Sequence, residues 1–122
     1  MILAVVDDLL FRSKIRATAK AVGVDVAFVP SAGDILEQAR AHQPSLVIID
    51  LNSDKGDPIG AVAALKKDEA LASIRTLGFV SHVHTGLIHA ARAAGADDVL
   101  ARSAFATQLP DILLTDKAAT GR

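Results

Sequence analysis

Five short apolar runs, each separated from the next by a longer stretch with helical periodicity, constrain the fold of this chain more than any other feature. The runs are rich in Val and Ile, and three of them are almost uninterrupted. They lie at residues 2–6, 24–29, 46–50, 76–80 and 98–101. Uninterrupted apolar strands are typical of parallel sheets that helices cover on both faces. The alternation therefore predicts an α/β domain with right-handed crossovers.

The stretches between the runs have the apolar spacing and the end residues of amphipathic helices. Apolar side chains recur on one face between Phe11 and Val22, and Gly23 directly after them predicts a helix end. Asp57 and Pro58 predict the N-cap and the first residue of the third helix. The order of elements is therefore strand–helix repeated five times, which favours a single domain without a linker.

The last helical stretch and the residues after it define the end of the predicted domain. This stretch contains Leu109 and Leu113, and we expect Pro110 in its first turn, where a missing N–H is least costly. The small and polar residues 117–122 predict a flexible C-terminal tail. The domain is therefore expected to cover residues 1–116.

Composition and charge argue against several classes of protein. The net charge is −1 with a pI near 6.4, which disfavours direct binding to nucleic acid or to anionic membranes. The chain has no cysteine, so disulfides and thiolate sites are excluded. The N-terminal apolar run lacks a preceding basic segment and is broken at Asp7, so we expect no signal peptide. These features predict a cytoplasmic location.

Carboxylates follow two of the predicted strands at the edge where parallel α/β sheets bind ligands. Asp7 and Asp8 follow the first strand, and Asp50 ends the third. Asp8 alone would be an ordinary N-cap for the first helix. If the first and third strands are neighbours, however, the three carboxylates crowd one another and need neutralisation. Mg²⁺, which prefers oxygen ligands and keeps positions open for phosphate, would supply it.

These motifs resemble the receiver domain of two-component response regulators. The resemblance rests on VVDDLL at the first strand end, VIIDLN at the third, a hydroxyl residue after the fourth, and GADDVLAR at the fifth. It covers nearly the whole chain and keeps the order and spacing of the elements. It implies a flavodoxin-like, CheY-like (βα)5 three-layer sandwich, with a five-stranded parallel sheet in the order 2-1-3-4-5.

The resemblance assigns a role to each polar residue at the strand ends. Asp7 and Asp8 match the acidic pair that holds Mg²⁺ together with Asp50, the phosphoacceptor. The backbone carbonyl of Asn52 would complete the protein ligands of the metal. Ser81 matches the hydroxyl residue that contacts the phosphoryl group.

The chain departs from the family pattern at the basic and aromatic end of the pocket. Arg102 followed by Ser103 stands where the family has Lys-Pro, and Val99 replaces its switch aromatic. Arg102 keeps the positive charge, but its planar fork differs in geometry from an ammonium group. The loop after Asp50 is long and charged, and Lys55 within it could pair with Asp50, although a solvated loop is the simpler interpretation. The expected domain is therefore an atypical receiver.

The function implied is two-component signalling through transient Mg²⁺-dependent phosphorylation of Asp50. Its partners would be a histidine kinase or phosphotransfer protein and a downstream protein, contacted through the face of the fourth helix, fifth strand and fifth helix. A homodimer is a further option. The chain is expected to be no enzyme beyond self-phosphorylation and autodephosphorylation. The alternative is a phosphorylation-independent pseudo-receiver that acts as an interaction module.

The histidines around the fourth strand end allow a second metal hypothesis. His82 and His84 have a spacing that can present two imidazoles together, but no third ligand is evident in the sequence. Two solvent-facing loop histidines are the simpler interpretation.

Overall fold

The computed structural model describes residues 1–53, 56–81 and 85–120. Its strands are β1 (Ile2–Val5), β2 (Val26–Phe28), β3 (Leu46–Asp50), β4 (Arg75–Val80) and β5 (Asp98–Ala101). Its α-helices are α1 (Leu9–Val22), α2 (Ile35–His42), α3 (Pro58–Lys67), α4 (Thr85–Ala94) and α5 (Arg102–Thr120), and one 3₁₀ turn covers Ala32–Asp34. The predicted strand–helix alternation is therefore confirmed.

All strand pairs are parallel, and the strand order is β2-β1-β3-β4-β5, as the family resemblance implied. Two apolar clusters cover the two faces of this sheet. The first includes Leu65 of α3 and Ala91 of α4, and the second joins Ile15 of α1 to Leu109 of α5. This three-layer arrangement explains why β1 and β3 are uninterrupted apolar runs, since every residue of both strands is buried.

The end residues that the sequence suggested do define two of the helices. Gly23 ends α1 in the left-handed conformation, with φ of 77°, which suits glycine because it has no Cβ. Asp57 accepts a hydrogen bond from the Gly60 N–H at 3.0 Å and so caps α3, whose first residue is Pro58. These local signals place the loops before α3 and after α1.

The prediction for the start of α5 is wrong. The helix begins at Arg102, directly after β5, so that Pro110 lies in its interior rather than in its first turn. The burial of Phe105, Leu109 and Leu113 explains how the helix continues through a residue that lacks an N–H. The helix also extends through Thr120, beyond the expected domain end, while the flexibility of residues 117–122 stays a prediction.

None of the helices in the described part of the chain is both long enough and apolar enough to cross a membrane.

Candidate functional site

The strand order brings the predicted acidic residues together at the carboxyl edge of the sheet. β1 and β3 are adjacent, with Val5 in register with Ile49, so Asp7 and Asp8 follow one strand beside Asp50 at the end of the other. β4 lies on the far side of β3. The sequence predicts that the three carboxylates lie close together if the first and third strands are neighbours, and the two strands are neighbours in the structure.

Asp8 has both of its carboxylate oxygens engaged. Oδ1 accepts hydrogen bonds from the N–H groups of Leu10 at 2.9 Å and Phe11 at 3.1 Å, so Asp8 is the N-cap of α1. Oδ2 accepts a hydrogen bond from the Arg102 guanidinium at 2.5 Å. The bond from Arg102, followed by the N–H of Phe11, lowers the pKa of Asp8. Asp8 is therefore both a helix cap and one half of an ion pair.

Arg102 is held in place by an aromatic ring as well as by Asp8. Its Cζ lies 4.5 Å from the centroid of the Phe11 ring, and Phe11 packs against Phe79 and Phe105 with centroid distances of 5.2 and 5.7 Å. A guanidinium over an aromatic face gains electrostatic attraction. Arg102 therefore reaches from the aromatic cluster of Phe11, Phe79 and Phe105 to the acidic residue Asp8.

Asp50 is the most enclosed carboxylate of the site, with only 8% of the residue exposed. Burial is the main cause that raises the pKa of its carboxyl group, and the hydrogen bond from the Asn52 N–H, at 2.9 Å, opposes it. The negative charges of Asp7 and Asp8 raise this pKa further, while Arg102 lowers it. The pocket thus carries negative charge that Arg102 compensates only in part.

Asn52 and Ser81 connect the loops that follow β3 and β4. Asn52 Oδ1 accepts a hydrogen bond from the Ser81 N–H at 2.5 Å, while its own N–H bonds to Asp50. The two residues that the family resemblance selected are therefore joined beside the candidate acceptor. The contact runs through the side chain of Asn52, whereas the resemblance assigned a role to its backbone carbonyl.

Ser53 is a site residue that the sequence did not reveal. Its hydroxyl donates to Asp7 Oδ2 at 2.6 Å, which ties the loop after β3 to the residue after β1. A serine three positions after Asp50 is the only signal in the sequence, and serines are common in loops. The contact depends on the path of the loop, which periodicity does not reveal.

The oxygen donors of this edge suit a hard divalent cation, although they are not arranged around one. Among residues 1–53, 56–81 and 85–120, no group of three or more His, Cys, Asp or Glu side chains could hold a metal ion. Carboxylates with uncompensated charge beside a buried Asp50 nevertheless match the oxygen preference of Mg²⁺. In the observed arrangement Arg102 occupies the Asp8 oxygen that a cation would use.

Two sequence hypotheses fall on residues 54, 55 and 82–84, outside the described part of the chain. They are the pairing of Lys55 with Asp50 and the metal site formed by His82 and His84.

The comparisons with known proteins agree with this architecture. No protein family model and no curated protein sequence matches the chain. Among solved structures, the receiver domain of a signal transduction histidine kinase from Syntrophus aciditrophicus matches with a TM-score of 0.84 at 17% identity. The match covers 99% of this chain and 92% of that one. This chain has the fold of a receiver domain.

Two further solved structures match the fold of this chain. The receiver domain of a sensor histidine kinase from Pseudomonas aeruginosa, with a magnesium ion coordinated in its active-site cleft, has a TM-score of 0.81 at 20% identity and covers 93% of both chains. The phosphorylated cyanobacterial phytochrome response regulator RcpA has a TM-score of 0.78 at 24% identity, covering 95% of this chain and 89% of that one. At these identities the likeness establishes the fold of this chain and nothing finer.

Proposed function

We propose that this chain is an atypical receiver domain of two-component signalling, in which Asp50 accepts a phosphoryl group. The observation that carries the proposal is the position of Asp50: a buried carboxylate on the central strand, flanked by Asp7 and Asp8 and facing Arg102. A carboxylate in this position can act as the nucleophile in phosphoryl transfer. The receiver fold supports the same interpretation.

The proposed reaction forms a bond between an Asp50 carboxylate oxygen and phosphorus, while the bond from phosphorus to the donor's leaving group breaks. The phosphoryl oxygens enter a pocket whose carboxylates repel them, so positive charge is the main requirement. Mg²⁺ held by Asp7, Asp8, Asp50 and the Asn52 carbonyl would supply that charge when bound. Asn52 orients Asp50, and the Ser81 hydroxyl donates to a phosphoryl oxygen.

Arg102 takes part by changing its partner. In the observed arrangement it neutralises Asp8 at 2.5 Å. When Asp8 helps to hold a cation, Arg102 would leave it, and the five donors of its guanidinium would suit the oxygens of a phosphoryl group. The single arginine thus serves as a counter-ion for the acidic pair before phosphorylation and as a phosphoryl ligand after it.

The decisive experiment is incubation of the protein with Mg²⁺ and a small phosphodonor, followed by intact-mass measurement. We expect a gain of one phosphoryl group that hydroxylamine removes, because acyl phosphates are sensitive to that nucleophile. The gain should be lost in Asp50→Ala and retained in Asp25→Ala, a carboxylate variant at the opposite end of the sheet. Absence of the gain with every donor, together with no beryllofluoride response in NMR spectra, would refute the phosphorylation proposal.

A phosphorylation-independent interaction module is the second candidate, and the ion pair between Arg102 and Asp8 favours it. This internal counter-ion neutralises part of the negative charge of the pocket without a metal. In both cases we propose a cytoplasmic protein that is no enzyme beyond the chemistry of Asp50. Its partners would be a histidine kinase or phosphotransfer protein and a downstream protein at the α4–β5–α5 face, with a homodimer as a further option. The phosphodonor experiment separates the two candidates.

A further inference from the structure

One face of the domain carries positive charge for which the described structure has no counter-ion. Helix α1 contains Arg12, Lys14, Arg16 and Lys20 and no acidic residue. Other cations of the chain form ion pairs, such as Lys66 with Asp97. Within the described residues, none of the four cations of α1 takes part in a salt bridge. Since the whole chain has a net charge of −1, this helix is a local excess of positive charge.

Two of these cations converge on one aromatic ring at the edge of the sheet. The Cζ atoms of Arg12 and Arg16 lie 4.8 and 5.0 Å from the centroid of Phe28, the last residue of the edge strand β2. Like charges one helical turn apart repel each other, and the ring offsets only part of that repulsion. An anion between or beside the guanidinium groups would remove the conflict.

Arg12 is also partly desolvated. Its Nε atom is buried and has no hydrogen-bond acceptor within the described part of the chain. Buried donors without a partner are rare, because each loses the hydrogen bond that water would otherwise accept from it. Arg12 also lines a cavity of about 210 Å³, whose other lining residues are Val6, Asp7, Phe28, Val29 and Pro30.

Asp7 also lines this cavity, and its carboxylate is already engaged, because Oδ2 accepts a hydrogen bond from the Ser53 hydroxyl at 2.6 Å. A second cavity of about 280 Å³ is lined by Arg16 and Lys20, and likewise by an aspartate, Asp25. The Arg12 cavity differs from it in having a lining cation, Arg12, whose buried Nε has no hydrogen-bond partner within the described residues.

We propose that the Arg12 cavity, with Arg16 across the Phe28 ring, binds a small phosphate-class oxyanion. Guanidinium groups bind such anions through charge-assisted hydrogen bonds. The volume accommodates phosphate or a short phosphate monoester, and it is below the roughly 300–1,000 Å³ typical of pockets for larger ligands. This cavity shares Asp7 with the acidic edge but is not lined by Asp50, and the proposed anion binding does not depend on phosphorylation of that residue.

The test is an NMR titration of the full chain, without metal and at constant ionic strength, that follows the Arg12 Nε–H signal. Inorganic phosphate and glycerol phosphate distinguish a free anion from an ester, and acetate tests whether a singly charged carboxylate suffices. We expect saturable shifts of the Arg12 Nε–H with at least one phosphate form, and weaker shifts with acetate. Equal responses to phosphate and acetate would contradict the phosphate assignment.

Matched charge variants separate a built site from diffuse attraction to a basic helix. Arg12→Gln should weaken phosphate binding by about tenfold or more, as expected for the loss of a charge-assisted contact. Arg16→Gln should weaken it less. Lys14→Gln removes the same charge from the same helix away from the Phe28 ring and should leave binding within about twofold. An equal loss in Lys14→Gln and Arg12→Gln, or linear shifts without saturation, would overturn the proposal.

Discussion

Under the proposed function, a cation and the Arg102 guanidinium compete for Asp8, which leads to a prediction at the level of single residues. Arg102→Ala frees Asp8 Oδ2 and removes a positive charge from the edge of the pocket. We expect Mg²⁺ to bind about two- to fivefold more tightly, since an exposed ion pair contributes modestly. Phosphorylation of Asp50 should become slower, because the proposed phosphoryl ligand is lost. Calorimetric Mg²⁺ titration and the phosphorylation rate measure the two effects.

The opposite signs of these two effects make the Arg102 variant informative. Arg92→Ala, which removes an exposed cation from α4, is the control and should change neither quantity. Weaker Mg²⁺ binding in Arg102→Ala would contradict the exchange of partners while leaving phosphorylation of Asp50 open.

Asp50 itself should be a source of instability in the unphosphorylated protein. Burial is the main cause that raises the pKa of Asp50 in the folded state. At a pH above this raised pKa the carboxylate is charged, and keeping that charge in the folded protein lowers the stability. Asp50→Asn keeps the shape of the side chain and an oxygen that can accept the hydrogen bond from the Asn52 N–H. We expect a higher urea midpoint than the wild type at pH 7, and a difference that shrinks as the pH falls through the raised pKa. A lower midpoint at pH 7 would contradict this expectation.

The sequence located these residues better than it described their contacts. Asp7, Asp8 and Asp50 could be placed at one edge because the carboxyl ends of parallel strands lie together. The hydrogen bonds from Ser53 to Asp7 and from Arg102 to Asp8 could not be predicted from the sequence, because each depends on the path of a loop or on a side-chain rotamer. The contact between Arg12 and Phe28 joins a helix to an edge strand and has no local signal either.

Helix α5 carries the clearest prediction at the level of an element. Pro110 is exposed and lies eight residues after Arg102, where a proline costs about 3 kcal/mol relative to alanine. Pro110→Ala should raise the free energy of unfolding by about 1–3 kcal/mol, less any entropy that proline removes from the unfolded chain. Chemical denaturation measures the gain. Thr115→Ala, at another exposed site of α5, should change the free energy of unfolding by only a few tenths of a kcal/mol. An equal change in the Pro110 and Thr115 variants would contradict the explanation.

Element types followed from the sequence more closely than element boundaries. The strands were recognised because buried parallel strands are continuously apolar, and α1 and α3 because Gly23 and Asp57 mark their ends. The predicted start of α5 was wrong because proline prefers the first turn of a helix, and Pro110 was therefore placed there. The helix that actually forms buries Phe105 and Leu109 in the core, and this tertiary packing outweighs the local penalty.

At the scale of the whole molecule, stability in acid depends on carboxylates that join separate elements. Asp97 Oδ2 accepts hydrogen bonds from Lys66 Nζ at 2.9 Å and the Thr76 N–H at 2.8 Å, which connects α3, β4 and the start of β5. Burial acts to raise the pKa of Asp97, but the bonds from Thr76 and Lys66 together outweigh it and lower the pKa. Asp68, bonded to Arg40 of α2, has a lowered pKa for a similar reason.

The sign of the resulting pH dependence follows from these lowered values. A carboxyl group whose folded pKa is depressed stabilises the protein above its unfolded pKa of about 3.9, and this stabilisation is lost as the pH falls through the folded value. Asp97→Asn should therefore lower the denaturation midpoint at pH 7, and the difference from the wild type should disappear in stronger acid. Asp98→Asn removes an exposed ion pair with Arg75 and should have a smaller effect. A deficit in Asp97→Asn that is unchanged from pH 7 to pH 2 would show that the loss comes from altered packing rather than from charge.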